Sequence, residues 1–364
     1  MAEAALVVEQ LADAERLGSW LDANAPELGD GPVKVEIVSG GTSNVILGID
    51  RGGPRAVLRR PPAVPPPGSA KTIQRESTVL SALNETDVPH PHLYARCEDT
   101  EVVGAPFYVM ERVEGWAAKL TDDDTVFPEP FDTAPWRYGV PYALTDGLIA
   151  LANVDYKAVG LEGFGKPDNF LGRQVERWSS QLGSYKELYD YPGRDLPGYA
   201  YVRDWLAANI PPAPKAGIMH GDVGTPNALF HSGPPARLAA LIDWELSTIG
   251  DPMLDFAWFS NAMRDEREPS RIPPHGTFDP LHYPTRQDLA RYYAGGTGRS
   301  IEHLDYYLIL ALFKGGCILE YKVAESMAGM QSEWAGNFFG PMVLKMFEEG
   351  ERLARLAERE PNRL

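Results

Sequence analysis

"IMHGDVGTPNALF", residues 218–230, sets two short apolar runs around a polar centre. His220, Gly221 and Asp222 come together, four residues separate Asp222 from Asn227, and Pro226 directly precedes that Asn. The apolar ends read as short strands and the centre as the loop they hold. "LIDWE", 241–245, follows with a second apolar run ended by a carboxylate, Asp243. A hard cation such as Mg²⁺ takes a few carboxylate or amide oxygens and leaves its other positions to water and phosphate. Asn227 and Asp243 supply such oxygens, and Asp222 is left to take a proton from a hydroxyl. That division of labour is the one phosphoryl transfer needs. Asp-x-x-x-x-Asn alone mostly shapes a turn; the His-Gly before it and the carboxylate after it argue for chemistry. Pro226 pre-sets its own φ and predicts an extended Thr225.

Upstream, residues 5–23 have helical apolar spacing, and then the period falls to two. "VKVEIVSG", "VILGID" and "RAVLRR" read as three strands, "KTIQRESTVLSALNET" as a helix, and "YARCED" and "GAPFYVMERV" as two more strands. Residues 33–113 therefore predict a small mixed or antiparallel sheet with one helix after its third strand. In "VSGGTSN", 38–44, Gly40 and Gly41 let the backbone approach a ligand, and Thr42, Ser43 and Asn44 add polar groups. The loop is neither G-x-G-x-x-G nor a Walker loop. Arg59 alternates with Val57 on the third strand and Glu76 follows on the helix. A basic strand residue ion-paired to a helix Glu positions nucleotide phosphates. Arg60 reads as a surface residue.

Downstream the chain turns mainly helical, with helices expected near 141–155, 170–188, 201–210, 286–294, 302–329 and 333–359. Asp251 reads as an N-cap ahead of Pro252. Asp255, among apolar residues one turn later, needs partners, and loop N–H groups are the expected ones.

The 364 residues carry 34 basic and 51 acidic side chains, a net charge of −17. A field of that sign disfavours nucleic acid and anionic membranes. Two cysteines are too few for a disulfide framework. "YYLILALF", 306–313, is far shorter than the roughly 20 residues of a membrane span. The N-terminal stretch carries acids early and does not read as a signal peptide. The expectation is a soluble, cytoplasmic protein with no nucleic-acid or membrane partner. No G-x-S-x-G elbow supports a hydrolase.

The ordered set of Ser39–Asn44 loop, strand Arg59, helix Glu76, "FYVMERVEG", "HGDVGTPN", "IDWE" and "GDPMLDFAW" resembles the aminoglycoside phosphotransferase and choline kinase-like superfamily. "CEDTEVVGAPFYVMERVEG" and "ALIDWELSTIGDPMLDFAW" look most like the phosphotransferase-like domains fused to acyl-CoA dehydrogenases. The resemblance implies an α+β, two-lobed protein-kinase-like fold, a sheet lobe over 1–113 and a mainly helical lobe over 114–364. It implies an ATP- and Mg²⁺-dependent kinase acting on a small-molecule hydroxyl. Asp222 would be the base, Asn227 and Asp243 the Mg²⁺ ligands, and Arg59 with Glu76 the phosphate-positioning pair. Met110 falls at the gatekeeper place, and the backbones of Glu111 and Val113 would meet adenine. His220 and Asp255 would brace the loop. Arg59 stands where the family more widely has Lys, and Gly224 where the dehydrogenase-associated branch often has Arg. A cationic aminoglycoside or amino alcohol and a hydroxyacyl thioester are both open as acceptors. A nucleotide-binding pseudokinase is the alternative class.

Overall fold

The computed structural model describes residues 11–40, 44–120, 125–212, 215–271 and 283–359. The first helix, α1 (Ala14–Asn24), starts at Asp13, whose side chain accepts the Glu15 and Arg16 N–H groups. Five strands follow: β1 (Lys34–Gly40), β2 (Val45–Asp50), β3 (Ala56–Arg60), β4 (Leu93–Cys97) and β5 (Phe107–Glu111). They form one sheet in the order β1-β2-β3-β5-β4. Every neighbouring pair is antiparallel, so of the mixed or antiparallel sheet expected from the sequence the antiparallel form is the one present. The helix after β3, α2 (Ser69–Leu83), delivers β4 to the edge, and β5 returns between β3 and β4. A one-turn helix, α3 (Thr100–Val103), unforeseen in the sequence, fills the link between β4 and β5.

Strand alternation gives the sheet two apolar faces. Ala56 and Leu58 of β3 and Phe107 and Val109 of β5 pack with Leu17 and Leu21 of α1. Val57, Tyr108 and Met110 face the other way, into the core shared with α2 and the helical lobe. The same period turns Arg59 with Val57 toward the helical lobe and Arg60 toward α1. Arg60 is therefore no surface residue: it is 4% exposed and donates to the carbonyls of Leu11, Pro61 and Val103.

Past β5 the chain crosses to the helical lobe. Trp116 pairs with Phe230 through two backbone hydrogen bonds (2.9 and 2.8 Å), and their rings stack at 4.8 Å. A short hairpin of β6 (Lys119–Leu120) and β7 (Thr125–Val126) precedes α4 (Trp136–Asn153), α5 (Gln174–Leu188) and α6 (Tyr199–Ala208). Helix α4 begins five residues before the Pro141 expected to open it and keeps that proline inside. Next come β8 (Gly217–Met219), β9 (Ala228–Phe230), β10 (Leu238–Leu241) and β11 (Thr248–Gly250), as antiparallel pairs β8–β11 and β9–β10. The remaining helices are α7 (Met253–Ser260), α8 (Arg286–Thr297), α9 (Leu304–Met327) and α10 (Glu333–Arg359). A capping box of Thr285 and Asp288 fixes the start of α8. Residues 304–313 of α9 are all buried except Asp305, as expected of a helix at the centre of its lobe. Among the described residues no helix is long and apolar enough to cross a membrane.

Candidate active site

The opening stretch folds as its pattern implies at both ends: β8 leads in and β9 leads out. Between them the chain turns at Gly221, whose φ is +91°. A Cβ there would lie 2.4 Å from the Leu246 carbonyl oxygen, so both backbone angle and space require glycine. Asp255, in the first turn of α7 and 2% exposed, accepts the N–H of His220 (2.6 Å) and of Gly221 (3.0 Å). These are the loop N–H partners its buried position called for. From α9, Lys314 donates to the Gly221 carbonyl (2.7 Å). Burial lifts the Asp255 carboxyl to about 6, against the pull of Lys314. Burial likewise lowers the pKa of Lys314.

His220 ties this loop to the next one. Its Nε2 donates to the Ile242 carbonyl (2.9 Å), its Nδ1 accepts the Asp222 N–H (3.4 Å), and its ring centroid lies 4.6 Å from that of Trp244. One nitrogen donating and the other accepting describes a neutral imidazole. Burial pushes its pKa down to about 4, consistent with that form.

Thr225–Asn227 forms a single 3₁₀ turn closed by Asn227 N–H to the Gly224 carbonyl (3.0 Å). The extended residue is Gly224, not Thr225, so the backbone effect expected of Pro226 is overridden by this turn. The turn directs the Asn227 Nδ2 to the Asp222 carbonyl (2.9 Å) and carboxylate Oδ2 (3.0 Å). The Asn227 carbonyl accepts the Ile242 N–H (2.9 Å), which fixes it beside the residue preceding Asp243. The Asn227 Oδ1 has no hydrogen-bond partner among the described residues.

Arg59 reaches this loop from the sheet. Its Nη2 lies 2.9 Å from Glu76 Oε1, 2.9 Å from Asp243 Oδ1 and 3.6 Å from Glu245 Oε2. Glu76 is fully buried and also accepts the Tyr108 hydroxyl (3.0 Å). Glu76, Asp243 and Glu245 each present an oxygen within 4.8 Å of the others. Burial pushes Glu76 up to about 7 despite Arg59, and lifts Glu245 as well. Burial works against the Arg59 charge, but Tyr108, Glu76 and Asp243 hold its pKa above the ordinary value. Asp243 has φ +67°, a sparsely populated conformation for a non-glycine residue.

The remaining sequence candidates line the sheet side. Gly40 ends β1, opposite Val45, and Asn44 directly precedes β2. Gly41, Thr42 and Ser43 lie outside the described residues. Met110 is buried near the end of β5. The Glu111 N–H is taken by the His92 carbonyl (2.8 Å), so Glu111 offers a ligand no backbone donor. Val113 makes no backbone hydrogen bond among the described residues.

The sequence reading did not single out Glu245, Tyr108 or Lys314. Glu245 was visible as the last letter of "IDWE". Lys314 was visible as the one charge in "YYLILALFKGG". Tyr108 carried no signal beyond sharing a strand face with Met110.

Comparison with known proteins places the chain in a family and a fold. The phosphotransferase enzyme family model matches residues 34–286. Acyl-CoA dehydrogenase family member 11 of Gallus gallus is 29% identical over 336 residues, covering 91% of this chain but 41% of that protein. The chain thus spans less than half the length of that curated relative. A Ralstonia eutropha protein of known structure, provisionally assigned as an aminoglycoside phosphotransferase, is 30% identical, with TM-score 0.79, over 95% of this chain and 99% of that one. The Plasmodium vivax ethanolamine kinase shares the fold alone, at 14% identity and TM-score 0.56 over 92% of this chain and 85% of that one. The two-lobed architecture is protein-kinase-like, and the chain belongs to the phosphotransferase enzyme family.

Proposed function

We propose that the chain is an ATP- and Mg²⁺-dependent phosphotransferase acting on a hydroxyl of a small molecule. The observation that carries this reading is the convergence of Asp222, Asn227 and Asp243 on adjoining loops, closed from the sheet by the Arg59–Glu76 pair. The donors suit a hard cation: Asp243 offers a carboxylate, and Asn227 offers an Oδ1 without a hydrogen-bond partner among the described residues. When bound, Mg²⁺ would offset the charge of the nucleotide phosphates.

Asp222, held by the Asn227 amide, orients the acceptor hydroxyl and takes its proton as the oxygen bonds to the γ-phosphorus. The bond from that phosphorus to the β-phosphate oxygen breaks, and ADP leaves. Arg59, anchored by Glu76, would hold the phosphates. Met110 and the Val113 N–H would hold adenine. His220 and Asp255 keep the loop in register.

For the acceptor we infer a hydroxyacyl thioester. The relatives' description as acyl-CoA dehydrogenase family members supports it. So does Arg177 on α5, which lies over Trp178 (4.5 Å), close enough to Lys314 to disfavour that ammonium, and pairs with no carboxylate among the described residues. The charge of Arg177 suits an anionic acceptor. The test is ATP consumption with hydroxyacyl-CoA thioesters, amino alcohols and aminoglycosides offered in parallel. Turnover with the thioesters is expected. Turnover with the cations alone would overturn the acceptor, and nucleotide binding with no turnover in any arm would favour a pseudokinase.

A further inference from the structure

Arg75 stands beside Glu76 on α2 and does not join the Arg59 cluster. Its Nη1 donates to the Phe164 carbonyl (3.2 Å), its Nη2 to the Ser247 carbonyl (3.0 Å), and its guanidinium lies 4.2 Å from the centre of the Phe164 ring. Both carbonyls belong to the helical lobe. Ser247 closes the 3₁₀ turn that begins at Asp243 and carries Glu245. The carbonyl before it, Leu246, is the one against which Gly221 packs. The residue after Phe164 packs closely on β11: a Cβ on Gly165 would come within 2.5 Å of the Ile249 nitrogen.

Consecutive residues of α2 therefore grip one turn at its two ends. Glu76 reaches Asp243 through Arg59, and Arg75 holds Ser247 directly. A planar fork on two carbonyls fixes direction as well as distance. Asp243, at φ +67°, keeps a conformation that its surroundings must enforce.

We propose that Arg75 is a positioning residue for the metal-binding turn, holding Asp243 toward Asn227 before nucleotide arrives. This rests on the Mg²⁺-dependent phosphotransferase reading. If Arg75 only fastened α2 to the helical lobe, its loss would lower the melting temperature and leave Mg²⁺ dependence unchanged.

The experiment is a Mg²⁺ titration of the melting temperature at fixed AMP-PNP, on the full chain, with wild type, Arg75→Ala and Arg75→Lys. Losing the charge-assisted bond to the Ser247 carbonyl should raise the Mg²⁺ needed for half the shift by about tenfold in Arg75→Ala. Arg75→Lys should show a smaller rise, since an ammonium keeps the charge and loses the fork. The shift given by AMP-PNP without Mg²⁺ should stay at its wild-type size. If Arg75→Ala does not fold, Arg75→Lys decides by the same midpoint. Wild-type midpoints in the folded variants, with lower melting temperatures only, overturn the inference. A wild type without any Mg²⁺-dependent shift removes the phosphotransferase reading, and this inference with it.

Discussion

Replacing Asp255 by Ala should be among the most damaging single changes to the loop that carries Asp222. The carboxylate accepts two buried backbone N–H groups and faces Lys314. Each N–H left without an acceptor costs roughly 1–3 kcal/mol. The Lys314 ammonium also loses a carboxylate that favours its charge. Two things reduce the sum. Lys314 keeps the Gly221 carbonyl, and the carboxylate's own desolvation, which lifts it to about 6, is relieved. A net loss of about 3 kcal/mol follows, a large share of the stability of a marginal domain, about 5–15 kcal/mol. Asp255→Asn keeps the shape but only one acceptor oxygen, so about half that loss is expected. Urea unfolding at pH 7 reads both. Lys314→Met in the Asp255→Asn background should cost less than Lys314→Met alone, because the carboxylate that the ammonium favours is then already gone. Asp255→Ala within about 1 kcal/mol of wild type would refute the reasoning, since such a value fits an ordinary surface substitution.

Two further outcomes follow from the same loop. His220 holds a folded pKa of about 4 against the usual 6.5, so the unfolded chain takes the proton first. Its contribution is present above pH 6.5 and is lost as pH falls toward 4, on the order of 3 kcal/mol. The stability difference between wild type and His220→Gln, measured by urea unfolding, should therefore shrink over that range; a difference independent of pH contradicts the neutral buried imidazole. Gly221→Ala should destabilise by roughly 2–4 kcal/mol, from a left-handed angle and a Cβ driven into the Leu246 carbonyl. Thermal melting checks it, and an unchanged melting temperature would contradict that packing.

Much of this site was legible because its chemistry sits where local periods break. The alternation of Val57 and Arg59 fixed which face of β3 meets the helical lobe, and a carboxylate among apolar residues at Asp255 announced buried partners. Local pattern misled where tertiary packing overrides it. Arg60 looked like a strand-end surface residue but is covered by Leu11 and by Val103 of α3, distant in sequence, which a local pattern does not encode. Thr225 was expected extended from the proline after it, yet the bonds of Asn227 to Asp222 and Ile242 hold a 3₁₀ turn. Arg75 was not singled out in the sequence, because its partners are carbonyls 89 and 172 residues away. Backbone acceptors leave no mark on residue type.

The measurement that tests the central claim most directly is the Mg-ATP-induced rise in melting temperature for wild type, Asp243→Ala and Asp222→Ala, followed by ATP consumption with the hydroxyacyl thioester in the same preparations. The account predicts a clear shift in wild type, most of it lost in Asp243→Ala. In Asp222→Ala the shift should be kept and turnover abolished. A wild type that Mg-ATP does not stabilise, or an Asp222→Ala variant that turns over at the wild-type rate, would contradict it.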